Sequence, residues 1–327
     1  MTSSNWTKFS GNGLPDQNET YKDIHFINEK TGYIGGSHLT LLGKSNNTTN
    51  FKNTAVLYKT LNQGKDWQQI ALHFLGSVEK ILSFGDTLIL QIKSDNDSTL
   101  IVRSDNNGKD WGSLLTLTNH SRIINMDFSN SIKGQFLTTD RQNVYLIAYS
   151  NNRFDTLVKF QGGSQWDILG DNVISLNNVP STADYNGYTL TDIKTGSIKE
   201  FQFDKSYFIA SHYKYEDNLY LAASKNNIGY ILKLNAKGFE KIELGKYSKY
   251  EPNEVFAYGV KLIAIGNRQD EVGPIGVIHS FFISTDGGKT WDKENLPSPM
   301  CIEAPAFFKD KFFISAACPP GYFQLRR

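Results

Sequence analysis

The chain has 327 residues, of which 39% are hydrophobic and 13% aromatic, and this is enough to bury a large core. Its 34 basic residues nearly balance its 33 acidic ones, and no basic run is longer than Arg326-Arg327, so the sequence gives no electrostatic footprint for nucleic acid. No segment reaches the roughly 18 apolar residues of a membrane span. Residues 1–20 lack the apolar stretch of a signal peptide.

The two ends of the chain predict one incomplete sheet each. At the N-terminus, Asn5-Trp6-Thr7-Lys8-Phe9 predicts an isolated strand led by tryptophan. At the C-terminus, residues 301–326 predict three strands without a fourth. We therefore expect residues 1–10 to complete the sheet of residues 301–327, which would close a ring and protect the edges that an open array of sheets exposes.

Between the ends, alternating apolar residues and strong turn signals predict six groups of four short strands. These groups span residues 23–74, 78–117, 122–160, 165–203, 207–244 and 253–295. The terminal group makes seven, and a repeat of this length is typical of the four-stranded blades of a β-propeller. The prediction is an all-β chain, with residues 1–327 forming a single seven-bladed β-propeller of antiparallel blades.

A polar turn marks several of these repeats. Its sharpest copy is Ser284-Thr285-Asp286-Gly287-Gly288-Lys289-Thr290-Trp291, and residues 60–67 and 104–111 keep the frame with Asn in place of Asp. The third residue can accept hydrogen bonds from the amides of the turn, the fifth glycine permits positive φ, and the tryptophan enters the core. The predicted structural positions are Thr60, Asn62, Gly64, Trp67, Ser104, Asn106, Gly108, Trp111, Ser284, Asp286, Gly288 and Trp291.

The spacing of these turns extends the repeat into the middle of the chain. Gly64 and Gly108 lie 44 residues apart, and further steps of 44 reach Asn152 and Gly196. Asn152 tolerates the left-handed backbone that glycine adopts in the other turns. The spacing therefore predicts that the middle repeats have lost the motif but kept the architecture.

The polar turn resembles the Asp-box of sialidase-type and BNR-repeat β-propellers. With the segments at 23–28 and 31–36, the first repeat is also similar to the blades of photosystem II stability and assembly factor-like propellers, and sortilin-type receptors share the box. We expect a non-catalytic scaffold whose loop face binds a protein partner, as an assembly factor, a receptor-like module or an inhibitor, because signals for catalysis are sparse in this sequence. The alternative is a carbohydrate-active propeller, either a divergent glycoside hydrolase or a glycan-binding protein, since Asp-boxes specify fold more than function.

Catalytic signals are sparse. A sialidase needs an arginine triad for the substrate carboxylate, whereas none of the seven arginines lies in the first blade, where the family's first triad arginine stands. The six histidines are scattered without a His-x-x-x-His motif, so we predict no catalytic residue, metal or cofactor. The hydrolase alternative needs paired carboxylates, for which Asp127, Glu254 and Glu303 are the residues to inspect.

Binding is expected on the loops opposite the polar turns. These are the connections 43–53, 177–186 and 267–276 and the segment 246–251, where aromatic and charged residues suit protein or glycan contact, unless they are solvated connectors. The candidate binding residues are Tyr247, Tyr250, Glu251, Arg268, Asp270 and Glu271, together with His212 and Glu303.

The two cysteines predict a disulfide. If Lys309-Asp310 is a two-residue hairpin loop, the register places Cys301 opposite Cys318, at a separation that slight adjustment brings within disulfide range. The alternative is two buried free thiols, because a slip of one residue would separate them. A disulfide implies an extracytoplasmic protein, periplasmic or secreted, that has lost a leader peptide.

Overall fold

In the computed structural model of the chain, the regular secondary structure of the described residues is antiparallel β-strand apart from one short 3₁₀ helix. The residues that the structure describes are 6–9, 13–14, 18–45, 48–94, 98–118, 121–140, 142–161, 165–178, 183–268, 272–273, 276–277, 280–294, 302–308, 311–316 and 322–326. Within these ranges, no helix has the length and apolar character needed to cross a membrane.

The chain divides into two compact units, the first made of residues 1–160 with 300–327 and the second of residues 161–299. The strands up to residue 161 are β1 (Trp6–Phe9), β2 (Glu19–Phe26), β3 (Gly32–Ser45), β4 (Thr48–Thr60), β5 (Gln68–Ile70), β6 (Ser77–Phe84), β7 (Thr87–Lys93), β8 (Thr99–Ser104), β9 (Gly112–Leu117), β10 (Arg122–Asn130), β11 (Lys133–Thr139), β12 (Asn143–Ser150) and β13 (Arg153–Gln161).

The remaining strands are β14 (Trp166–Leu169), β15 (Asn172–Asn178), β16 (Asp184–Asp192), β17 (Ile198–Tyr215), β18 (Asn218–Lys225), β19 (Ile228–Asn235), β20 (Gly238–Glu243), β21 (Glu251–Tyr258), β22 (Lys261–Asn267), β23 (Val272–Gly273), β24 (Gly276–Val277), β25 (Ser280–Ser284), β26 (Asp292–Glu294), β27 (Ile302–Phe308), β28 (Lys311–Ala316) and β29 (Tyr322–Arg326). A short 3₁₀ helix, Gly245–Tyr247, precedes β21.

The first unit contains four sheets of four strands each. Three follow the chain and are named by their first strands: the β2 sheet (β2 to β5), the β6 sheet (β6 to β9) and the β10 sheet (β10 to β13). The fourth, the terminal sheet, has the order β1-β29-β28-β27. The second unit contains a seven-stranded sheet (β14 to β20), the β21 sheet of order β21-β22-β25-β26, and the small ribbon β23-β24.

Neighbouring sheets bury their apolar faces against each other. In the first unit, Tyr33 of the β2 sheet packs in one cluster with Val78 of the β6 sheet, and Ile89 of the β6 sheet joins Phe136 of the β10 sheet in another. The same arrangement in the second unit joins the two halves of the seven-stranded sheet and then its second half to the β21 sheet. Middle strands such as β7, β18 and β22 are consequently buried almost throughout, which explains why the apolar alternation in their sequences is weak.

The N-terminal strand belongs to the terminal sheet. β1 pairs antiparallel with β29, so that Trp6 lies opposite Arg326 and Phe9 opposite Phe323. A strand from the start of the chain thus supplies the outer position of a sheet whose other three strands come from its end.

The register of β27 and β28 bears on the predicted disulfide. The pairing runs without a shift from Phe308↔Lys311 to Ala304↔Ser315, but a β-bulge then shifts it by one residue, so that Ile302 pairs with Ala316. The unshifted register assumed from the sequence is therefore wrong at this point, because Ile302 pairs with Ala316. A bulge recurs at the corresponding place in five other sheets. Cys301 and Cys318 themselves lie outside the described residues, and their pairing stays a prediction.

The seven-stranded sheet corrects the prediction that every sheet has four strands. The sequence predicts one strand ending at residue 203 and another beginning at 207, but β17 runs through both, pairing first with β16 and then with β18. Residues 204–206 are Asp-Lys-Ser, which lack the glycine and proline that interrupt strands most strongly, and the backbone remains extended through them. The sheet still has two halves, which pack against each other.

The three polar turns at 60–67, 104–111 and 284–291, called box turns below, have one geometry. In each, the first hydroxyl accepts the amide of the glycine four residues later at 2.7–2.9 Å, and Oδ1 of the third residue accepts another amide at 2.9–3.0 Å. The glycines at 64, 108 and 288 have φ of 82, 86 and 90°. In the third turn, hydrogen bonds from the hydroxyl and amide of Thr290 lower the pKa of Asp286 well below its ordinary value.

A further hydrogen bond ties each box turn to the turn between the first two strands of its sheet, with lengths of 2.8–2.9 Å. The same bond occurs in two sheets whose sequences have lost the box. There, Asn151 donates to the carbonyl of Ile132 at 3.1 Å and Ile193 donates to that of Asp171 at 2.9 Å. The two positions reached by steps of 44 residues, Asn152 and Gly196, have φ of 64 and 70°. The repeat thus persists in the backbone after its side chains have changed.

Candidate functional site

Polar side chains join the first strands of neighbouring sheets, where the part of β17 that pairs with β18 is counted as the first strand of the second half of the seven-stranded sheet. In most of these strands a β-bulge interrupts the pairing with the second strand, and the residue after the bulge is polar. Bulges re-aim side chains, so these residues leave the alternating pattern of the strand. They are Asp23, Lys80 and Asn125 in the first unit, and Ser211 and Glu254 in the second.

In the first unit these residues form hydrogen bonds from sheet to sheet. Asp23 Oδ2 accepts the backbone amide of Ile81 at 2.6 Å, and Lys80 Nζ donates to Asn125 Oδ1 at 3.3 Å. Burial raises the pKa of Asp23 to about 6, although the Ile81 bond and the charge of Lys80 oppose the shift. Asp23 therefore changes charge in mildly acidic solution.

His25 lies two residues further along β2. Its Nε2 is 2.8 Å from the hydroxyl oxygen of Ser83 on β6. Burial, with a smaller contribution from Lys80, lowers the pKa of His25 to about 4. The imidazole is consequently neutral at neutral pH, and β2 carries two groups whose pKa values are displaced in opposite directions.

In the second unit His212 interacts with carboxylates on two other first strands. Its Nε2 lies 3.4 Å from Oδ2 of Asp167, which is only 3% exposed, whereas the imidazole is 36% exposed. Burial raises the pKa of Glu254, while hydrogen bonding to Ser211 and the charge of His212 oppose this. Within the described part of the chain, no three His, Cys, Asp or Glu side chains group closely enough to hold a metal ion.

The predicted loop tyrosines anchor a connection to the β21 sheet. The rings of Tyr247 and Tyr250 lie 5.0 and 4.9 Å from that of Phe282, and Tyr250 is only 6% exposed. The amide of Lys293 donates to the Tyr247 hydroxyl at 3.2 Å, and Lys293 Nζ lies 2.6 Å from the Tyr250 hydroxyl. Both rings thus serve mainly to pack the 3₁₀ segment, and only Tyr247 keeps appreciable exposure.

The other predicted site residues are spread over different elements. The Arg268 guanidinium lies 5.9 Å from the Tyr250 ring centre, so the structure brings these two together. Glu251 is the first residue of β21 and is half-buried, while Glu303 lies in β27. Asp270 and Glu271 lie outside the described residues.

In the described residues of the connection 43–53, which are 43–45 and 48–53, β3 and β4 are paired strands instead of the loop predicted from the sequence. β3 and β4 remain paired from Gly32↔Thr60 to Ser45↔Thr48, whereas β2 pairs with β3 only as far as His38. Beyond that point the two strands form a ribbon, residues 39–45 and 48–53, which we call the arm. Turn-forming residues in 43–50 favoured a loop, but β-branched threonines at 48 and 49 keep the chain extended.

The arm exposes large apolar side chains. Leu41 is 56% exposed and its directly paired neighbour Phe51 is 52% exposed, so both lie on one face of the ribbon. Leu39, two residues from Leu41, shares this face and is 37% exposed, and Leu42 at the register shift is 62% exposed. Contiguous exposed apolar residues of this kind mark interaction surfaces more often than isolated ones do.

Sequence reasoning missed the arm and the polar residues of the first strands. The alternation Leu39-Thr40-Leu41 followed by Phe51-Lys52 could have indicated a ribbon. In two of the first strands a polar residue stands between apolar ones, Asn125 between Ile124 and Met126 and Asp167 between Trp166 and Ile168, and this pattern could have indicated buried polar contacts there.

Comparisons with known proteins give the fold. A scan of protein-family models and a search of curated proteins found no match. Among solved structures, the chain is similar to YCF48 from Cyanidioschyzon merolae, with a TM-score of 0.66 and 15% identity over 98% of both chains. It is also similar to virginiamycin B lyase from Staphylococcus aureus, with a TM-score of 0.61 and 11% identity over 98% of both chains.

A third similar structure is the β-propeller domain of the Trilobed protease from Pyrococcus furiosus, whose topology is described as open velcro. The TM-score is 0.60 at 10% identity, covering 94% of this chain and 95% of that one. These neighbours include enzymes, and at such identities the likeness carries the fold alone. With its antiparallel four-stranded sheets, the chain has a β-propeller fold.

Proposed function

We propose that this protein is a non-catalytic, seven-bladed β-propeller scaffold that binds a partner protein through the arm. The observation that carries the proposal is the exposed apolar face formed by Leu39, Leu41 and Phe51. Phe51 lies in the connection 43–53, where the sequence predicts ligand contact, and Leu39 and Leu41 come just before it in the chain. Its exposure has an energetic cost in water that contact with a partner would remove.

We propose further that the chain forms seven blades and that the N-terminal strand closes them into a ring. Division of the seven-stranded sheet at β17 gives two blades, which with the five four-stranded sheets makes seven. Pairing of β1 with β29 supports closure by the N-terminal strand. The likeness to YCF48 is consistent with a scaffold.

The charge of the arm indicates the chemistry of its partner. Between residues 31 and 65 there is no Asp or Glu, whereas lysines stand at 44, 52, 59 and 65. The apolar face is thus set in a basic segment. We propose that the occupant is a protein with an apolar surface bordered by carboxylates, because complementary charge speeds association and fixes orientation.

The test compares the wild-type protein with the double variant Leu41→Ser/Phe51→Ser as bait in extracts of the organism that encodes the chain. Val260→Ser is the matched control, because Val260 is 66% exposed but lies in a turn of the second unit. A protein retained by wild type and control but not by the double variant is then purified. Its affinity is measured at two salt concentrations.

The proposal predicts a loss of affinity of at least about tenfold in the double variant, corresponding to roughly 1.4 kcal/mol. It also predicts weaker binding at higher salt and for Lys52→Glu. Equal affinity for wild type and double variant would contradict it. Concentration-dependent self-association that the double variant abolishes would identify a second copy as the occupant and would also overturn the proposal.

An extracytoplasmic location is a separate proposal that depends on a disulfide between Cys301 and Cys318. Alkylation of the denatured native protein, followed by intact mass measurement with and without reductant, tests it. The proposal predicts alkylation of both cysteines only after reduction. Two alkylated thiols without reductant would remove the argument for export.

A further inference from the structure

A cleft of about 700 Å³ opens beside the second box turn. One wall comes from residues 103–114 of the β6 sheet, and the other comes from the turns of the β10 sheet at 132 and 151–152. Arg103 braces the cleft, because its Nη1 donates to the carbonyl of Ser131 at 2.8 Å and its Nε donates to Asp105 at 2.7 Å. The side chain of Arg103 is only 16% exposed, so the site is built around a fixed group.

The rim of the cleft carries two carboxylates, each with an oxygen that can accept a further hydrogen bond. The Asp105 side chain is 62% exposed, and its bonds to Arg103 and Thr87 all use Oδ1. Asp110 accepts the Asn106 side-chain amide through Oδ2. In these bonds, Oδ2 of Asp105 and Oδ1 of Asp110 remain able to accept hydroxyl groups.

Donors and an apolar wall complete the site. Asn152 accepts the Tyr149 hydroxyl through Oδ1 at 2.8 Å, which leaves its amide nitrogen to donate. Ile132 is 49% exposed, and Trp111 is more exposed than the tryptophans of the other two box turns, which are 6% exposed. Leu114 lies on the same lining.

We propose that this cleft binds a neutral oligosaccharide. A sugar ring has apolar C–H faces and a rim of hydroxyls that both donate and accept, so it matches an aromatic and aliphatic wall edged by carboxylates and amides. Because Arg103 neutralises Asp105, only Asp110 adds net charge to the lining, and strongly charged ligands gain little. The cleft is within the size range of small-ligand pockets.

The experiment uses the intact protein labelled with ¹⁵N, in which the five tryptophans give five indole signals. The Trp111 signal is assigned with Trp111→Phe, and the protein is titrated with maltose, cellobiose and N,N′-diacetylchitobiose. The proposal predicts a saturable shift of the Trp111 indole with at least one disaccharide. The Trp291 indole, in the box turn of the other unit, should not move.

Asp110→Ala and Asp66→Ala form a matched pair. Each carboxylate accepts the amide of the box asparagine, at 2.9 and 2.6 Å respectively, but only Asp110 lines the cleft. Asp110→Ala should weaken disaccharide binding about fivefold through loss of a charge-assisted hydrogen bond, while Asp66→Ala should bind as wild type. Absence of a saturable shift with all three disaccharides would overturn the proposal, as would equal effects of the two variants. Binding of a lysine-containing tripeptide in place of the sugars would assign the cleft to peptides and would also overturn it.

Discussion

The box turns and the arm are both polar-rich connections between strands, yet they use their residues in opposite ways. In the turn at 284–291, the Ser284 hydroxyl and the Asp286 carboxylate bond the amides of their own turn, and Trp291 is buried. In the arm, Leu41 and Phe51 pair with each other and remain more than half exposed. The polar groups of the box turn form hydrogen bonds within the turn itself. The arm instead leaves an apolar face exposed to solvent.

This difference indicates which connection carries the proposed binding of a partner protein. The hydrogen bond between the box turn and the turn that joins the first two strands recurs even in sheets that have lost the box sequence. The turn is therefore retained within the chain as an element of architecture. The arm, by contrast, extends only one hairpin beyond its sheet, as an addition to the repeat. An addition that exposes apolar side chains is better explained by an interaction than by folding.

The strongest test of the structural side of the comparison is Trp291→Ala. Trp291 is 6% exposed, and its Nε1 donates to the carbonyls of Glu243 and Gly288 at 3.0 and 3.1 Å. Removal of the buried ring should lower the free energy of unfolding by about 3–5 kcal/mol, measured by urea denaturation. Leu41→Ser is the control and should change it by no more than about 0.5 kcal/mol. Similar losses for both variants would erase the distinction between corner and arm.

The second test concerns Asp23 and His25, whose side chains form hydrogen bonds with the neighbouring β6 sheet. Asp23 has a pKa of about 6 against an ordinary 3.8, so the folded state binds more protons than the unfolded state between these values. Its contribution therefore lowers stability as pH rises from about 4 to about 6, by roughly 3 kcal/mol. His25 has a pKa of about 4 against an ordinary 6.5, so the unfolded state binds more protons there and stability rises by a similar amount.

These opposite effects should leave the wild-type protein with little net slope from this pair. Asp23→Asn keeps an oxygen for the Ile81 amide but cannot titrate, so its stability relative to wild type should increase as pH rises from 4 to 6. His25→Gln should show the opposite trend over the same range. Chemical denaturation at several pH values measures both, and parallel curves for the two variants would contradict the assignment.

The third test compares two costs of replacing glycine in the box turn 284–291, the strain of a positive φ and the steric clash of an added Cβ. Gly287 and Gly288 both have positive φ, but a Cβ at Gly288 would lie 2.2 Å from Cγ2 of Ile242, whereas one at Gly287 meets nothing within 4 Å. Gly288→Ala should cost about 2–3 kcal/mol of unfolding free energy through strain and overpacking. Gly287→Ala should cost only about 1 kcal/mol. Equal costs, measured by urea denaturation, would mean that the corner is loosely packed.

The sequence predicted what depends on local chemistry. The box residues predict their turns because the hydroxyl, the carboxamide or carboxylate, and the glycine all act within one loop. The 44-residue spacing then predicts the positive-φ positions at Asn152 and Gly196. The continuity of β17 was not predicted because residues 204–206 do not form the turn expected between two strands. The bulge before Ala304 was not predicted because it arises from pairing with another strand. Partners such as Ile81 for Asp23 are 58 residues away, so only the packed sheets reveal them.

The exposed character of the arm was likewise invisible in sequence. Leu41 and Phe51 fit a buried strand as well as an exposed ribbon, and only the end of β2 pairing at His38 leaves them uncovered. Tyr250 illustrates the converse, since it falls in a connection and yet is 6% exposed. Burial is set by neighbouring strands, which periodicity alone does not identify.

The most direct test of the central claim replaces the arm. Residues 41–51 are exchanged for Asn-Gly, so that Thr40 and Lys52, which pair directly, flank a two-residue turn. The shortened protein and the wild type are compared in urea denaturation and in affinity for the partner identified with the wild-type bait. The account predicts unfolding free energies within about 1 kcal/mol of each other and loss of partner binding in the shortened protein. A shortened protein that binds the partner as tightly as the wild type would contradict it, and so would one that fails to fold, because the arm would then belong to the architecture.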